Sequence, residues 1–594
     1  MSDVKQGAHW LLEKVGSSRI FTVEDLNEEQ KAIGKTAEDF LEKEVRPLWE
    51  ELEDEEKKLE LEPILLKKAG ELGLLMIDIP EEYGGLGLDK TSSMVVSEKV
   101  APIQSFAVTL MAHTGIGTLP IVHFGTKEQK EKYLPKLATG EWIAAYALTE
   151  TGYGSDALHA KTKAVLSPDG KYYILNGEKQ FITNSGFADV FIVYAQVDGE
   201  KFTAFIVERD FGVKTGAEEN KMGIRGSSTR SLILEDVKVP VENVLGEIGK
   251  GHKSALNILD VGRFKLGIAA LGVSKRVIKV AAEYANQRKQ FGVPISVFGM
   301  IRRKFADMAT LTYVLESMAY RLSGLYDSSL AQYEKGTEEY TKQAAKVFED
   351  YQIEASIMKV FGSEVQGIVV DHGVQIHGGY GFIEEYEVAR QYRDARISRI
   401  FEGTNEINRL LLPTALLRRY QRGELDLMSP VQDTFKELQG DVTKSPESGP
   451  LGYEITATEL AKKAFFLAAG AAVQKFGGEL RNQQFIMENL ADIMIGIFGM
   501  DSAVARALQY IEKNGEDKSF MPVAMTKVYV YETFQDIIAK ARQVLVDTAQ
   551  GNENEIKNYL DMVNKLWWYW PLDITSTKNK IAEVIIGRED YSLV

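Results

Sequence analysis

The sequence has 594 residues, of which 44% are hydrophobic and 26% are charged, so we expect three to five folded units at roughly 150 residues each. Its net charge of −16 argues against general nucleic-acid binding, which requires Lys and Arg to neutralise phosphates. The absence of cysteine excludes disulfides, thiolate nucleophiles and Cys-ligated metals, and no HExxH spacing occurs among the seven histidines, so no metal site is expected.

The first ten residues, MSDVKQGAHW, lack the positive start and apolar core of a secretory signal peptide. The longest apolar run, Ala464 to Val473, covers about half of a membrane span. We therefore expect a cytoplasmic protein without a transmembrane segment.

The N-terminal part, residues 1–145, has a helical pattern from about residue 27. Leu61 to Leu74, for example, has apolar residues at i, i+3 and i+4 spacing. Pro80 and the glycines of the segment up to Gly87 indicate a loop between helices. The pattern predicts an N-terminal helical domain.

The pattern changes to that of strands in residues 146–245. Turn residues separate four segments that are rich in Val, Ile, Phe and Tyr: 171–174, 191–197, 202–207 and 231–237. Asp169-Gly170 and Asp198-Gly199 predict hairpin turns, and Asn176-Gly177 is interpreted as a hairpin that leads into a strand. We expect a central antiparallel β-domain.

Helical periodicity returns after residue 245. Segments 255–286, 297–326 and 337–370 predict an antiparallel helical bundle within residues 246–425. A linker is expected at 426–452, where 441–452 is polar and contains Gly and Pro, and helices at 457–477, 483–514 and 526–550 predict a C-terminal extension over 453–594. Helices, strands and helices in this order predict an α+β fold with separate layers rather than alternating βαβ units.

Two candidate ligand-binding stretches lie in the β-domain. Gly152 and Gly154, flanked by hydroxyl residues, would let backbone N–H groups approach a ligand, although on this stretch alone a plain β-turn is the favoured interpretation. A Rossmann fingerprint is excluded because no strand and helix of a βαβ unit flank these glycines. Phe181 and Thr183 could cover a flat ring and bond its edge, or could belong to an ordinary packed strand.

The third candidate stretch contains an acidic residue in the segment Arg399 to Ile407. Glu402 follows an apolar pair and precedes Gly403, so its carboxylate could face an apolar cavity from a loop. The alternative is a surface glutamate before a helix. Thr404 is a candidate N-cap for a helix that runs toward Leu412.

Taken in this order, the three stretches resemble the acyl-CoA dehydrogenase family. The resemblance covers residues 30 to 420 approximately and includes further motifs at 83–85, 288–292, 375–381 and 401–404. The helical extension after residue 440, with Asn482 to Phe485, resembles the very-long-chain branch of the family.

The resemblance implies that FAD binds between the β-domain and the helical bundle. The positions that match FAD contacts of the family are Tyr146, Leu148, Thr149, Phe181, Thr183, Arg288, Phe291, Gln375, Gly378, Gly379, Thr404 and Glu406. The positions that match acyl-CoA contacts are Ser155, Asp260, Arg263 and Gly403. Phe181 stands where many members have Trp, and some of the diphosphate and adenosine contacts are expected to come from a second subunit.

The resemblance also implies a reaction, the α,β-desaturation of long-chain fatty acyl-CoA to trans-2-enoyl-CoA in β-oxidation. Glu402 would abstract the α-proton and flavin N5 would accept the β-hydride, while the backbone N–H of Glu402 and a ribityl hydroxyl would bind the thioester carbonyl. Some branches place the base one residue before Arg263, but that position is Gly262 in this chain.

The implied partners are an electron-transferring flavoprotein as acceptor and a second copy of the chain in a homodimer. Two alternative functions remain open: an acyl-CoA oxidase, and an acyl-CoA-dehydrogenase-like assembly or binding protein with little catalysis. Small residues in 112–117 could leave room for a long acyl chain or could allow close helix packing. The aromatics of 567–570 could pack between helices or contact a membrane surface.

Overall fold

A computed structural model describes residues 6–335 and 337–593 of the chain. The N-terminal part is helical, and a π-helical turn, Ala112–Gly117, follows its fifth helix. Its helices are α1 (Glu28–Phe40), α2 (Trp49–Leu52), α3 (Glu55–Glu71), α4 (Lys90–Val100), α5 (Gln104–Met111), α6 (Leu119–Phe124) and α7 (Lys127–Thr139).

One sheet follows, with strand order β6-β7-β3-β2-β4-β5-β8 and β1 beside β4. Both Asp-Gly turns are confirmed. Asp169-Gly170 joins β2 to β3, and Gly170 has a φ of +69°. Asp198-Gly199 joins β4 to β5 with φ values of +54° and +83°, both positive as in a type I′ turn. The strands are β1 (Ala144–Ala147), β2 (Lys163–Leu166), β3 (Tyr172–Thr183), β4 (Val190–Val197), β5 (Lys201–Glu208), β6 (Lys214–Glu218), β7 (Thr229–Pro240) and β8 (Val244–Leu245).

The structure corrects two expectations for this region. The sheet is mixed rather than purely antiparallel, because β1 and β2 both pair with β4 in parallel. Asn176-Gly177 does not form a hairpin turn but lies inside β3, where the pairing with β7 shifts register between Leu175 and Gly177. A Cβ on Gly177 would lie 2.5 Å from Oγ1 of Thr162, so this glycine permits close strand contact.

The helical bundle contains the predicted long helices, but the segment predicted at 337–370 is divided at Tyr351. Helices α8 and α11 pack closely, since a Cβ on Gly362 would lie 2.9 Å from Cα of Gly267. The elements are α8 (Gly251–Gln287), the short strands β9 (Lys289–Gln290) and β10 (Val293–Pro294), α9 (Gly299–Leu330), α10 (Glu338–Asp350), α11 (Gln352–His377), α12 (Glu387–Ala395) and α13 (Asn405–Gln421).

The region predicted as a linker contains a helix, α14, and only the segment after it up to residue 451 has no regular helix. Helix α14 packs on the next helix, where Val431 contacts the Gly470 position. The remaining helices are α14 (Met428–Glu437), α15 (Gly452–Phe476), α16 (Gln484–Asn514), α17 (Phe520–Thr548), α18 (Glu553–Leu566) and α19 (Ile574–Arg588).

The C-terminal helices pack onto the bundle rather than standing apart. Helix α16 contacts α9 and α13, and α19 contacts α9, within one apolar cluster that runs from the N-terminal helices to Ile585. A second apolar cluster lies within the sheet. Trp570 belongs to the first cluster and is buried against Tyr531 and Phe534, whereas Trp567 and Tyr569 are 43% and 65% exposed.

One segment, Gln104–Phe124, is long and apolar enough to cross a membrane. However, 89% of its most apolar stretch is buried inside the protein, as in the core helix of a folded domain.

Candidate active site

Glu402 lies in a tight turn between α12 and α13. Glu402 and Gly403 are both in the left-handed region, with φ values of +56° and +80°. Thr404 follows and caps α13, because its side chain accepts a hydrogen bond of 3.3 Å from the Ile407 N–H. The predicted N-cap is therefore confirmed, and the turn directs the glutamate side chain away from the helix that it precedes.

The carboxylate of Glu402 lies against Gly262 of α8. A Cβ built on Gly262 would lie 2.8 Å from Oε2 of Glu402 and 3.4 Å from Cγ2 of Ile116. Oε2 is buried and has no hydrogen-bond partner among the described residues. A carboxylate in such surroundings fits the interpretation of a loop glutamate facing an apolar cavity rather than that of a surface residue.

The surroundings of Glu402 set its protonation. Burial raises the pKa of its carboxyl to about 7, although the nearby charges of Arg263 and Lys359 oppose the rise. Arg263 also donates from Nε to the Glu402 carbonyl at 3.3 Å and pairs with Asp260 at 2.7 Å. Burial likewise raises the pKa of Asp260 to about 7. Glu402 can therefore accept a proton near neutral pH.

Two residues of this site were not identified from the sequence. Lys359 of α11 is fully buried and donates from Nζ to the Gly403 carbonyl and to Oδ1 of Asn405, at 2.7 Å each. Asn408 donates from Nδ2 to the carbonyls of Gly403 and Thr404 at 2.9 and 3.0 Å. For Lys359, the sequence offered one signal, which is a lysine inside an otherwise apolar stretch of helix.

A second group of predicted residues meets where β3 bulges beside the end of β1. The Gln180 N–H donates to the Thr149 carbonyl at 2.9 Å, and Nζ of Lys179 donates to the Leu148 carbonyl at 3.1 Å. Phe181 has a φ of +60°, and 61% of it is exposed. An aromatic residue held in a strained backbone conformation with its ring exposed is suited to covering a flat ligand. Thr183, two residues on, ends the strand.

Gly152 lies in a turn that a Glu150–Tyr153 bridge closes, Gly154 directly follows this turn, and both glycines are exposed. A Cβ on either glycine would contact nothing within 4 Å, so the surrounding protein does not require glycine at these positions. Ser155, the neighbouring predicted substrate contact, is also exposed. Tyr146 lies inside the fold, where burial raises the pKa of its phenol well above the usual range.

The third group of predicted residues lies around the C-terminal ends of α8 and α11. Arg288, Gly378 and Gly379 line a groove of about 550 Å³, and the Arg288 guanidinium lies 5.5 Å from the centre of the Tyr380 ring. Gln375 is exposed, and so is 93% of Phe291. Helix α8 runs about 37 Å from Gly262 to Gln287, so this group is remote from Glu402 in the same chain.

The chemistry of these groups suits FAD. The exposed ring of Phe181 can stack on a flat ring system, and the Arg288 side chain supplies a cation for a diphosphate. The two glycines at 378 and 379 leave the backbone open to a ligand, because nothing lies within 4 Å of a Cβ on either. Thr404 and Glu406 lie at the start of α13, within about one turn after Glu402.

Comparison with protein families covers most of the chain. Residues 27–141, 145–237 and 249–417 match the models of the N-terminal, middle and C-terminal domains of acyl-CoA dehydrogenase, and residues 460–565 match a further acyl-CoA dehydrogenase C-terminal domain. Each of the three structural parts described above, and the extension as well, thus has a counterpart in one kind of enzyme.

Individual proteins agree with the family models. A probable acyl-CoA dehydrogenase of Bacillus subtilis is 49% identical over 593 residues, which cover 100% of this chain and 99% of that protein. The very long-chain specific acyl-CoA dehydrogenase of Rattus norvegicus is 41% identical over 79% of this chain and 74% of its own. A crystal structure of acyl-CoA dehydrogenase complexed with FAD from Bacillus anthracis has a TM-score of 0.96 and 49% identity, covering 99% of this chain and 100% of that one.

Proposed function

The chain belongs to the acyl-CoA dehydrogenase family of FAD-dependent oxidoreductases, and on this premise we propose that Glu402 removes the α-proton of an acyl-CoA thioester. An α,β double bond forms as the α-carbon loses this proton and the β-carbon loses a hydride. Bound FAD supplies the acceptor for that hydride. The observation that carries the proposal is the buried Oε2 of Glu402, which has no hydrogen-bond partner in the described chain and faces Gly262.

The α-proton of a thioester becomes acidic enough only if the negative charge that develops on the thioester oxygen is stabilised. Within the described residues, the backbone N–H of Glu402 donates to no other group. This free donor supports its proposed role in binding the thioester carbonyl. Arg263 donates to the Glu402 carbonyl, in the peptide that follows, and Arg263 itself donates to Asp260.

Substrate contacts are proposed for Ser155, Asp260, Arg263 and Gly403. The last three adjoin Glu402: Arg263 pairs with Asp260, and a Cβ on Gly403 would lie 3.7 Å from Nη2 of Arg263. Ser155 belongs to the exposed turn at the start of the β-domain, where an incoming CoA group would have free access.

We propose that FAD contacts come from two copies of the chain. Leu148, Thr149, Phe181 and Thr183 would hold the flavin, with Tyr146 behind them, while Arg288, Phe291, Gln375, Gly378 and Gly379 would hold the diphosphate and adenosine. The second group lies about 37 Å along α8 from Gly262, which supports its contribution by a partner subunit in a homodimer.

The proposed substrate is a long-chain acyl-CoA. The rat relative named above is specific for very long chains by its name. This chain has a void beside Phe401 whose lining is mainly apolar, with Ala107, Val108, Met111 and Leu266, but also includes Gln104, Gln366 and Ser398. The void is small, about 10 Å³, so the flexible side chains of Met111 and Leu266 would move to admit a chain. Gly117 contributes no room, because a Cβ there would lie 2.8 Å from Cβ of Ala144.

Electron-transferring flavoprotein is the proposed acceptor, and the cytoplasm is the proposed location. Trp567 and Tyr569 are exposed side chains through which the protein would touch a membrane surface. An acyl-CoA oxidase with the same residues would pass its electrons to oxygen, so slow reoxidation of the reduced flavin in air distinguishes the dehydrogenase.

The substrate class is tested with a series of saturated acyl-CoA thioesters from four to eighteen carbons. Turnover with a flavoprotein acceptor is measured, and the 2-enoyl-CoA product is identified by mass spectrometry. Since each buried CH₂ contributes about 0.8 kcal/mol, we expect kcat/KM to rise steeply with chain length toward sixteen carbons. A maximum at four carbons would reject the long-chain assignment while leaving the reaction type intact.

A further inference from the structure

We propose that Lys359 is a positioning residue for the base: its ammonium group holds the left-handed turn of Glu402 and Gly403 against α11. This inference rests on the proposed role of Glu402. It concerns how the turn keeps its shape and how the carboxylate stays ionised, which the chemistry of Glu402 alone does not explain.

The contacts of Lys359 all converge on the turn. Its Nζ donates to the Gly403 carbonyl and to Oδ1 of Asn405, at 2.7 Å each. The Asn405 amide in turn bonds to Ser363 of α11 at 3.0 Å. Gly403 and Asn405, which directly follow Glu402, are thus held by one helix, and the lysine that holds them is fully buried.

The turn needs this support because its backbone conformation is unfavourable. Glu402 has a φ of +56°, a backbone conformation that costs free energy in a non-glycine residue. Such conformations persist only where contacts with the surrounding structure stabilise them. Asn408 holds the same carbonyl of Gly403 at 2.9 Å, and Arg263 holds that of Glu402 at 3.3 Å. Among these donors, Lys359 alone belongs to α11.

The packing of the bundle makes α11 a rigid support. Helices α8 and α11 approach each other at Gly267 and Gly362, close enough that a Cβ on Gly362 would lie 2.9 Å from the opposite Cα. Lys359 lies one turn before Gly362 on α11, while Gly262, which the carboxylate touches, lies five residues before Gly267 on α8. The base therefore lies between two helices that pack closely against each other.

The charge of Lys359 acts on the carboxylate as well. Burial, the largest effect, and the charge of Arg263 lower the pKa of Lys359 to about 7. The nearby carboxylates of Glu402, Glu406 and Glu364 oppose this and raise the pKa. Lys359 in turn lowers the pKa of Glu402 against the effect of burial. Among the described residues, Arg263 is the other nearby charge that favours the ionised form of Glu402, and it remains when Lys359 is removed.

The test compares Lys359→Met and Lys359→Arg with a matched control, Lys462→Met. Lys462 is also a buried lysine, which donates to the Glu13 carbonyl at 2.7 Å, but it belongs to α15. Flavin content, substrate binding and the rate of flavin reduction by palmitoyl-CoA are measured in the holoenzymes from pH 5.5 to 9.

We expect Lys359→Met to retain flavin and substrate binding. Palmitoyl-CoA should reduce the flavin of this variant at least tenfold more slowly, and the apparent pKa of the reduction rate should rise by about one pH unit. Lys359→Arg, which keeps the charge but not the short contacts, should show the slower rate without the raised pKa. Lys462→Met should change neither the rate nor its pH profile.

An unchanged rate and pH profile in Lys359→Met would overturn the inference. If that variant fails to fold, Lys359→Arg decides: a wild-type reduction rate would overturn it, and a slower rate with unchanged substrate binding would support it. Failure of the proposed function is separate, because it would appear as normal turnover in Glu402→Gln whatever Lys359 does.

Discussion

The carboxylate of Glu402 packs against Gly262 on the surface of α8, and no space is left there for a side chain on residue 262. A Cβ on Gly262 would lie 2.8 Å from Oε2 and 3.0 Å from Cδ of Glu402. A glycine in the middle of a helix ordinarily costs about 1 kcal/mol relative to alanine. The position is thus explained by the space that the glutamate occupies.

Gly262→Ala should therefore slow the reaction while leaving the helix intact. The added methyl group forces the carboxylate to move by several tenths of an ångström, and small displacements of a reacting group cost large factors in rate. We expect flavin reduction by acyl-CoA to slow about tenfold, measured by stopped-flow absorbance. Gly587→Ala on α19, where a Cβ would meet nothing, is the control, and equal rates in both variants would contradict the assignment of Gly262.

The pH dependence of the reaction should follow the protonation of Glu402. Since burial raises its pKa to about 7 and only the ionised form accepts a proton, kcat/KM should fall as the pH drops through 7. Asp260 has a similarly raised pKa, so the pH profile of Asp260→Asn is measured in parallel. Its kcat/KM should show the same fall as the pH drops through 7. A limb near pH 4.5 would show that the carboxyl is not desolvated as the structure indicates.

Glu402 should also reduce the stability of the protein at alkaline pH. Its pKa in the folded state is raised from 4.5 to about 7, so the stability that its protonated form contributes below pH 4.5 is lost as the pH rises through 7. Oε2 of Glu402 is buried but the residue as a whole is partly exposed, so we expect Glu402→Gln to be more stable than wild type by about 1–3 kcal/mol at pH 8. The two proteins should unfold alike at pH 4, which urea titrations at both pH values would measure.

Phe181 should matter for flavin and little for folding. Its ring is mostly exposed, and its φ of +60° suits glycine better than phenylalanine. We expect Phe181→Gly to keep its unfolding midpoint but to bind FAD about tenfold more weakly, the loss of one aromatic stacking contact. Phe181→Trp should bind normally. Full flavin retention by the glycine variant in dilution experiments would remove Phe181 from the flavin site.

The sequence predicted the elements where local chemistry decides the structure. Two Asp-Gly pairs formed the expected hairpin turns, and Thr404 forms the expected helix cap. Asn176-Gly177 has the same local signal, but its neighbour across the sheet, Thr162, leaves space only for a glycine inside a continuous strand. Long-range packing therefore overrode turn propensity there.

The site was predictable only in part, for a similar reason. Glu402, Arg263 and Asp260 were identified because they match motifs of a known family, and the structure brings these three together. Lys359 was not predicted as a site residue because its hydrogen-bond partners lie 44 and 46 residues further along the chain, and no local sequence pattern connects them. The break at Tyr351 was missed because the apolar periodicity continues across it.

The most direct test of the account is an anaerobic titration with palmitoyl-CoA that follows flavin absorbance in wild type, Glu402→Gln and the control Glu583→Gln. Glu583 is exposed on α19. We predict prompt bleaching and 2-enoyl-CoA formation in wild type and control, and a flavin in Glu402→Gln that binds ligand but stays oxidised. Bleaching of Glu402→Gln at the wild-type rate would contradict the assignment of Glu402 as the base.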